Sequence, residues 1–356
     1  MNKPLLTPVS LGKAHFDDST DRLRLSVVVI GRNEGIRLVR CIESIMRMRP
    51  LNGSIEVIYV DSGSTDGSVE RAERLNLKVI SLNSTNPCAA AGRNAGWRAS
   101  RAPILLFLDG DTMLEPNFVV DSIGELKDPR IAVVFGDRRE IDPNGSIYNR
   151  VLDLDWLAPV GPVEFCGGEA LIRREVLERV GGYDEHLIAA EDTELCSRIR
   201  ALGYVVLHVD RLMVHHDLAI TRFSQYWRRG IRTGYAYAEV SERIRRCDLP
   251  NWYLQARRNR LQGSLLTVAM IAVPSLIIAY RSITGILFAL TLTTIVVART
   301  AFRSRWKKAP MTTRILHALH SHLMQIPLVF GQVKYELNKL RGKAAILIEY
   351  KGLKER

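Results

Sequence analysis

The chain has 356 residues, 47% of them apolar, and a net charge of +12. That leaves room for one large or two modest domains with an ample core. Its five cysteines (Cys41, Cys88, Cys166, Cys196, Cys247) form no CxxC pair and no framework spacing, which excludes a disulfide scaffold and fits buried thiols in a reducing compartment. The charge is unevenly placed: from Arg257 onward there are 17 Lys and Arg against three Glu, whereas the first 256 residues hold 33 basic and 35 acidic side chains. A basic excess confined to the last hundred residues points to a membrane surface and away from a nucleic-acid partner.

Residues 1–24 have no apolar run of the signal-peptide kind and are read as an extension. Residues 25–30 (LSVVVI) predict a buried strand, and Asn33 and Glu34 lead from it into an amphipathic helix bearing Ile36, Val39, Ile42 and Ile45. A second strand over 55–60 ends at Asp61 in DSGSTDGS, where Ser64 or Thr65 is placed to cap the next helix. After a short third strand (78–82) comes a small-residue helix carrying Arg93, and then residues 104–112, ILLFLDGDT. The apolar run suits a strand buried on both faces, so Asp109 and Asp111 emerge at its C-terminal end, where open α/β sheets bind ligands. Two carboxylates this close repel one another and call for a cation. Their hard oxygens suit Mg²⁺ or Mn²⁺, ions that usually arrive holding phosphates; a solvated acidic loop is the plain alternative. Strand and helix alternate, which predicts a doubly wound parallel sheet, and no GxGxxG follows the first strand, which excludes the oxidoreductase type of dinucleotide fold.

Further along, FCGGEALIRR places Gly167, Gly168 and Glu169 ahead of a helix ending at Gly181. Glu191 and Asp192 then open a helix running to about Leu202, where the helix dipole alone would favour them. His215 and His216 close a strand that begins at Tyr204. Residues 223–237, basic and aromatic, suit a membrane-facing or acceptor surface or a plain packing helix. Two stretches without charge, 263–280 and 282–298, are flanked by Arg257, Arg258 and Arg260 on one side and Arg299, Arg303, Arg305, Lys307 and Lys308 on the other. Under the positive-inside rule they form a helical hairpin with both ends cytoplasmic. The alternatives are two buried helices of a soluble domain or a re-entrant pair kinked at Pro274. Residues 315–340 read as an amphipathic segment along the interface, with His317, His320 and His322 as interfacial polar groups. The domain plan is therefore an extension (1–24), a catalytic domain (25–220), an amphipathic helical linker (221–256), a hydrophobic hairpin (257–309) and a basic amphipathic tail (310–356).

Taken in order, SVVVIGRNE, VDSGSTDGS, AAAGRNAG, FLDGDT, GGEALIRR with GGYDE, EDTEL and the His pair resemble the family 2 inverting glycosyltransferases over roughly residues 25–217. The resemblance implies the GT-A nucleotide-diphospho-sugar transferase fold, an α/β doubly wound mixed sheet, here with a C-terminal helical membrane-associated region. It implies a sugar transferred with inversion from a nucleotide-diphospho-sugar to a glycan or lipid-linked acceptor, in cell-surface polysaccharide or glycolipid synthesis at the inner cell membrane. Carried over, Asp61 contacts the base, and Asn33, Glu34, Arg93, Asp109, Gly167 and Gly168 line the nucleotide-sugar pocket. Asp109 and Asp111 form the DxD motif, Asp111 being the direct ligand for Mn²⁺ or Mg²⁺, with His215 or His216 as a further ligand that the sequence does not separate. Asp192 is the catalytic base, with Glu191 the fallback. Three departures stand out: Ser62 where a second acid is common, Glu169 where Asn is common, and Gln225-Tyr-Trp227-Arg-Arg in place of QxxRW, which points to addition of single sugars. Two rival classes remain: a haloacid-dehalogenase-like phosphatase and a non-catalytic nucleotide-sugar-binding membrane protein.

Overall fold

A computed structural model describes residues 23–83, 87–245, 250–281, 283–343 and 348. Cys247 and most of the N-terminal extension lie outside them. In chain order the first half is β1 (Leu25–Gly31), α1 (Ile36–Met46), β2 (Ile55–Asp61), α2 (Ser68–Arg74), β3 (Lys78–Ser81), α3 (Ala89–Ala99), β4 (Ile104–Asp109), β5 (Thr112–Leu114), α4 (Phe118–Ser122) and β6 (Ile131–Glu140). There follow α5 (Ile147–Asp155), β7 (Gly161–Val163), β8 (Ala170–Arg173), α6 (Arg174–Val180), α7 (Glu191–Ala201) and β9 (Val205–His216). The helical end comprises α8 (Phe223–Arg245), α9 (Pro250–Tyr280), α10 (Ile283–Arg303), α11 (Met311–Leu323) and α12 (Gln325–Leu340).

The strands form one sheet in the order β3-β2-β1-β4-β8-β6-β9-β5, with β7 also on β9. From β3 to β4 all pairing is parallel, as the strand–helix alternation predicts. β8 breaks the pattern: it lies antiparallel between β4 and β6, so the sheet is mixed. Leu105 through Leu108 are fully buried, as a strand covered on both faces requires. The chain crosses from one side of β1 to the other on entering β4, and the carboxyl ends of β1, β2 and β4 open on that switch point. Register then sets the site: Asp61 lies beside Gly31, and Asp109 beside Ile30.

The expected cap by Ser64 or Thr65 does not form. α2 begins at Ser68 behind a left-handed Gly67, and the Asp66 carboxylate accepts from the Ser68 amide. Ser64 and Thr65 are committed to Asp61 and Asn33 instead.

The helices beyond residue 220 pack together rather than trail. α9 runs as one helix through Pro274, and at about 1.5 Å per residue α9 and α10 are long enough to cross a bilayer. Both are apolar enough to do so as well, and their apolar windows are almost wholly exposed. α8 packs along α12 and α9, and α11 sits on α5. The 315–340 segment divides its apolar residues: Ala318, Ile326 and Leu328 are buried and His320 meets the Tyr226 hydroxyl at 2.5 Å, whereas Ile315, Leu319, Leu323, Phe330, Val333 and Leu337 are exposed. An amphipathic pattern does not say whether its apolar side meets lipid or protein. The Gln-Tyr-Trp run is structural here. Gln225 Oε1 accepts from the amides of Thr221 and Arg222 and so caps α8, while Trp227 packs on Phe223 and Phe330.

Gly234 of α8 meets the α12 backbone so closely that a Cβ there would stand 2.1 Å from the Leu328 carbonyl oxygen. Gly234→Ala should therefore cost about 1–3 kcal/mol of stability. Thermal unfolding of the detergent-solubilised chain reads this as a lowered midpoint; an unchanged midpoint would refute the contact.

Candidate active site

Three clusters meet at the carboxyl ends of the strands. The first is the loop pair after β1 and β2. Asp61 is 2% exposed. Its Oδ1 accepts from Tyr59 (2.7 Å) and Ser64 (2.5 Å) hydroxyls, and its Oδ2 from the amides of Gly63 (2.9 Å) and Ser64 (2.8 Å). A carboxylate offers about four acceptor positions, so Asp61 is saturated and acts by shaping the loop. Asn33, at φ +57°, accepts from the Thr65 amide while its own amide donates to Ser64 Oγ. Glu34 pairs with Arg37 at 2.8 Å.

The second cluster is centred on Arg93, which is 2% exposed yet carries a full charge. One guanidinium nitrogen donates to Asp109 Oδ1 at 2.8 Å and the other to Glu191 Oε1. α3, β4 and α7 are thus clamped at one point. Gly168 is required beside it, since a Cβ there would fall 2.3 Å from Arg93 Nη2. Gly167 meets Arg138 in the same way. Arg138, from β6, pairs with Glu169, stacks over the Trp156 ring at 5.3 Å, and lies within Coulombic reach of Asp109, Asp111 and Asp192. Burial pushes the Glu169 carboxyl up to about 7 in spite of Arg138, and Glu169 Oε1 has no hydrogen-bond partner.

The third cluster is Asp111 with His216. The turn after β4 and the pairing of β5 with β9 set His216 opposite Thr112 and His215 opposite Met113. Side chains alternate along a strand. His216 Nε2 therefore stands 3.5 Å from Asp111 Oδ1, both residues buried, and its ring meets Trp156 edge-on. His215 points elsewhere, 3.9 Å from Glu115. Among the described residues no set of three or more His, Cys, Asp or Glu side chains is spaced to hold a metal ion. Asp111 and His216 fit as two ligands of a cation whose other positions come from substrate and water; Asp109, turned to Arg93, and His215 stand apart from them.

At the start of α7 the two acids separate. Glu191 is held by Arg93, whereas half-buried Asp192 accepts only from its neighbour Thr193 among the hydrogen bonds described (2.7 Å to the amide). Burial, reinforced by the Glu191 charge, pushes Asp192 up to about 6. The preceding Ala190 sits at φ +60°, a left-handed conformation costing roughly 1–2 kcal/mol outside glycine, and its strain aims the helix start. Sequence reasoning missed Arg138 and Trp156. Nothing local marks either, because β8 and β9 bring them to the site from distant parts of the chain.

The family model described as glycosyl transferase family 2 matches residues 26–181, and that of glycosyl transferase family group 2 matches residues 104–301. The chain belongs to the family 2 glycosyltransferases. Glycosyltransferase AglE of Haloferax volcanii is 25% identical over 190 residues, covering 51% of this chain and 62% of that protein. O-antigen chain rhamnosyltransferase RfbN of Salmonella typhimurium is 26% identical over 196 residues, 49% and 62% of the two chains. The chain thus spans about half to three-fifths of the length of the curated relatives it matches. Among solved structures, mannosyltransferase PcManGT from Pyrobaculum calidifontis, in complex with GDP-Man and Mn²⁺, superposes with a TM-score of 0.65 at 20% identity over 90% of this chain and 89% of that one. The GT-A fold is common to both. Family membership sets the phosphatase alternative aside.

Replacing Arg93 tests the clamp. Arg93→Met leaves the buried Glu191 and the half-buried Asp109 without their shared cation, which should cost about 3–5 kcal/mol. Chemical denaturation measures it; a loss below 1 kcal/mol would show that the clamp carries no weight.

Proposed function

We propose that this glycosyltransferase moves a sugar from a nucleotide-diphospho-sugar to a hydroxyl of a glycan or lipid-linked acceptor in a single inverting displacement. It would do so at the inner cell membrane, with the hairpin in the bilayer and the catalytic domain on the cytoplasmic side. The observation that carries the reading is the separation of Glu191 from Asp192: one acid is neutralised by Arg93, and the other is left in the crevice with its proton affinity raised. A carboxylate whose pKa lies near neutrality is suited to accept a proton from an attacking hydroxyl. Arg138 supports the same chemistry by placing positive charge between the acids of the DxD turn and Asp192. The loop shaped by Asp61 and Asn33 offers the base a rigid wall, and Glu169 presents an oxygen without a partner toward the donor side.

Asp111 and His216 would hold a divalent cation, Mn²⁺ or Mg²⁺, which when bound offsets the charge growing on the departing diphosphate. The mixed oxygen and nitrogen donor pair suits Mn²⁺, and the mannosyltransferase from Pyrobaculum calidifontis binds GDP-Man with Mn²⁺. Exposed apolar hairpin helices and the flanking arginines and lysines support the membrane placement.

Asp192→Asn should lower the transfer rate about 10²–10⁴-fold with donor affinity near that of the parent chain. The base must be ionised, so the parent rate should rise with pH through about 6, and this limb should be missing from the variant. Glu191→Gln decides the assignment: an inactive Gln variant beside an active Asn variant would transfer the role to Glu191.

Metal use is tested by donor binding with and without chelator. Calorimetry should show a Mn²⁺-dependent gain that Asp111→Asn and His216→Ala each reduce about tenfold or more and His215→Ala leaves in place. Equal loss in both histidine variants would overturn the choice of His216.

A further inference from the structure

The helical bundle carries a half-open polar cavity that the reaction centre does not use. It measures about 250 Å³ and lies between α8, α9 and the start of α12, roofed by the end of α5. Asp155, Tyr237, Gln255, Asn259, His320 and Gln325 line it. Two of these amides are incompletely satisfied. Asn259, 1% exposed, accepts from Gln255 at 2.8 Å, but its Nδ2 has no partner. Gln325 donates to the Ser321 carbonyl, yet its buried Oε1 has none. Leaving a buried polar group unpaired costs about 1–3 kcal/mol, and Glu239 Oε2, Trp252 Nε1 and Arg314 Nε elsewhere in the bundle are unpaired as well, but none of those residues lines the cavity. Gln332, fully buried one turn beyond the cavity, donates to the Ala256 carbonyl and accepts from Arg260. What sets Asn259 and Gln325 apart is that both line one cavity, where a ligand would supply their partners.

The chemistry of that something follows from the lining. Arg229 is offset by Asp155, so the cavity has no net charge to recruit a phosphate. Burial holds His320 neutral, its pKa down at about 4, with Nδ1 engaged by the Tyr226 hydroxyl. What remains is a mixture of amide donors and acceptors, which matches hydroxyls, each both donor and acceptor. Met324 and Leu328 supply an apolar patch for a ring's C–H face. The volume lies below the roughly 300–1,000 Å³ of sites for drug-sized ligands and is on the scale of one monosaccharide.

Two relays of contacts lead from the cavity toward the reaction centre. Asp155 precedes Trp156, whose ring rests on His216. Tyr237 stacks on Trp252 at 4.4 Å, and Trp252 meets Phe165 edge-on at 5.5 Å, two residues before Gly167. We infer that this cavity is a saccharide subsite, holding one sugar unit of a glycan acceptor whose reacting hydroxyl extends toward Asp192. The subsite rests on the sugar-transfer reading for its role but not for its detection.

The test uses the full chain in detergent, with chelator and without donor. Methyl glycosides of glucose, mannose, galactose and N-acetylglucosamine are titrated by saturation-transfer NMR. At least one should bind saturably in the millimolar range. Asn259→Leu and Gln325→Leu, which replace amides by apolar groups of similar size, should each weaken it tenfold or more. Both variants should keep the parent thermal midpoint and the parent affinity for UDP or GDP, which shows that they fold. No saturable glycoside, or binding untouched by both folded variants, would overturn the subsite. Binding of glycerol phosphate in place of glycosides would overturn it too, marking the cavity as a lipid head-group site. A chain that turns over donor but binds no glycoside loses only the subsite. One that binds glycosides but transfers no sugar loses only the transferase reading.

Discussion

The site depends on one buried guanidinium. Arg93, itself buried, faces two carboxylates, the buried Glu191 and the one-third exposed Asp109. A buried charge is tolerated only with partners of good geometry, and the penalty for losing a partner exceeds the value of having it. Each consequence in the crevice follows from that demand. Glu191 is drawn out of the reaction space, so Asp192 alone faces it. Asp109 is drawn toward α3, so the first acid of the DxD turn is held apart from the second and only Asp111 reaches the imidazole of His216. Gly168 has no alternative, because any side chain would occupy the volume of the guanidinium. One ion triad therefore decides which acid of each pair is tied to Arg93.

Alternation along β9 makes the second decision. Adjacent residues of a strand face opposite ways, so a His pair at a strand end delivers one ring to each side. The bond register of β5 on β9 fixes which: Thr112 lies across from His216, and the turn carrying Asp111 comes with it. The Asp217 amide then donates to the Asp111 carbonyl at 2.9 Å and locks the two segments together.

How much of this was legible in the sequence tracks how local each determinant is. The apolar runs of β1, β2 and β4 and the acids at their ends are contiguous, and their parallel pairing follows from strand–helix alternation. Asp109, Asp111, Asp192 and the His pair stood out as candidates for that reason. Arg138 and Trp156 were not, since they reach the crevice only because β8 inserts against the direction of its neighbours and carries β6 and β9 into place. Ser64 and Thr65 misled for a related reason: short hydroxyl side chains cap helices and bind carboxylates alike, and here the saturated Asp61 claimed the first. The 315–340 segment shows the same ambiguity at larger scale. Its apolar residues were plain, but which of them meet α8, some hundred residues earlier in the chain, and which stay exposed was not.

That return of the chain constrains how the enzyme meets its acceptor. α12 lies against α8 with glycine at the crossing on both sides, Gly234 and Gly331, where added Cβ atoms would stand 2.1 Å from the opposing backbone. Lys307, just past α10, donates from its ammonium to the Leu154 carbonyl of α5 at 2.6 Å. The hairpin is thus bolted to the catalytic domain at both ends, by α9 through the bundle and by α10 through α5. With the hairpin in a bilayer, such a joint leaves the crevice no tether on which to swing and holds Asp192 at a set height above the lipid head groups.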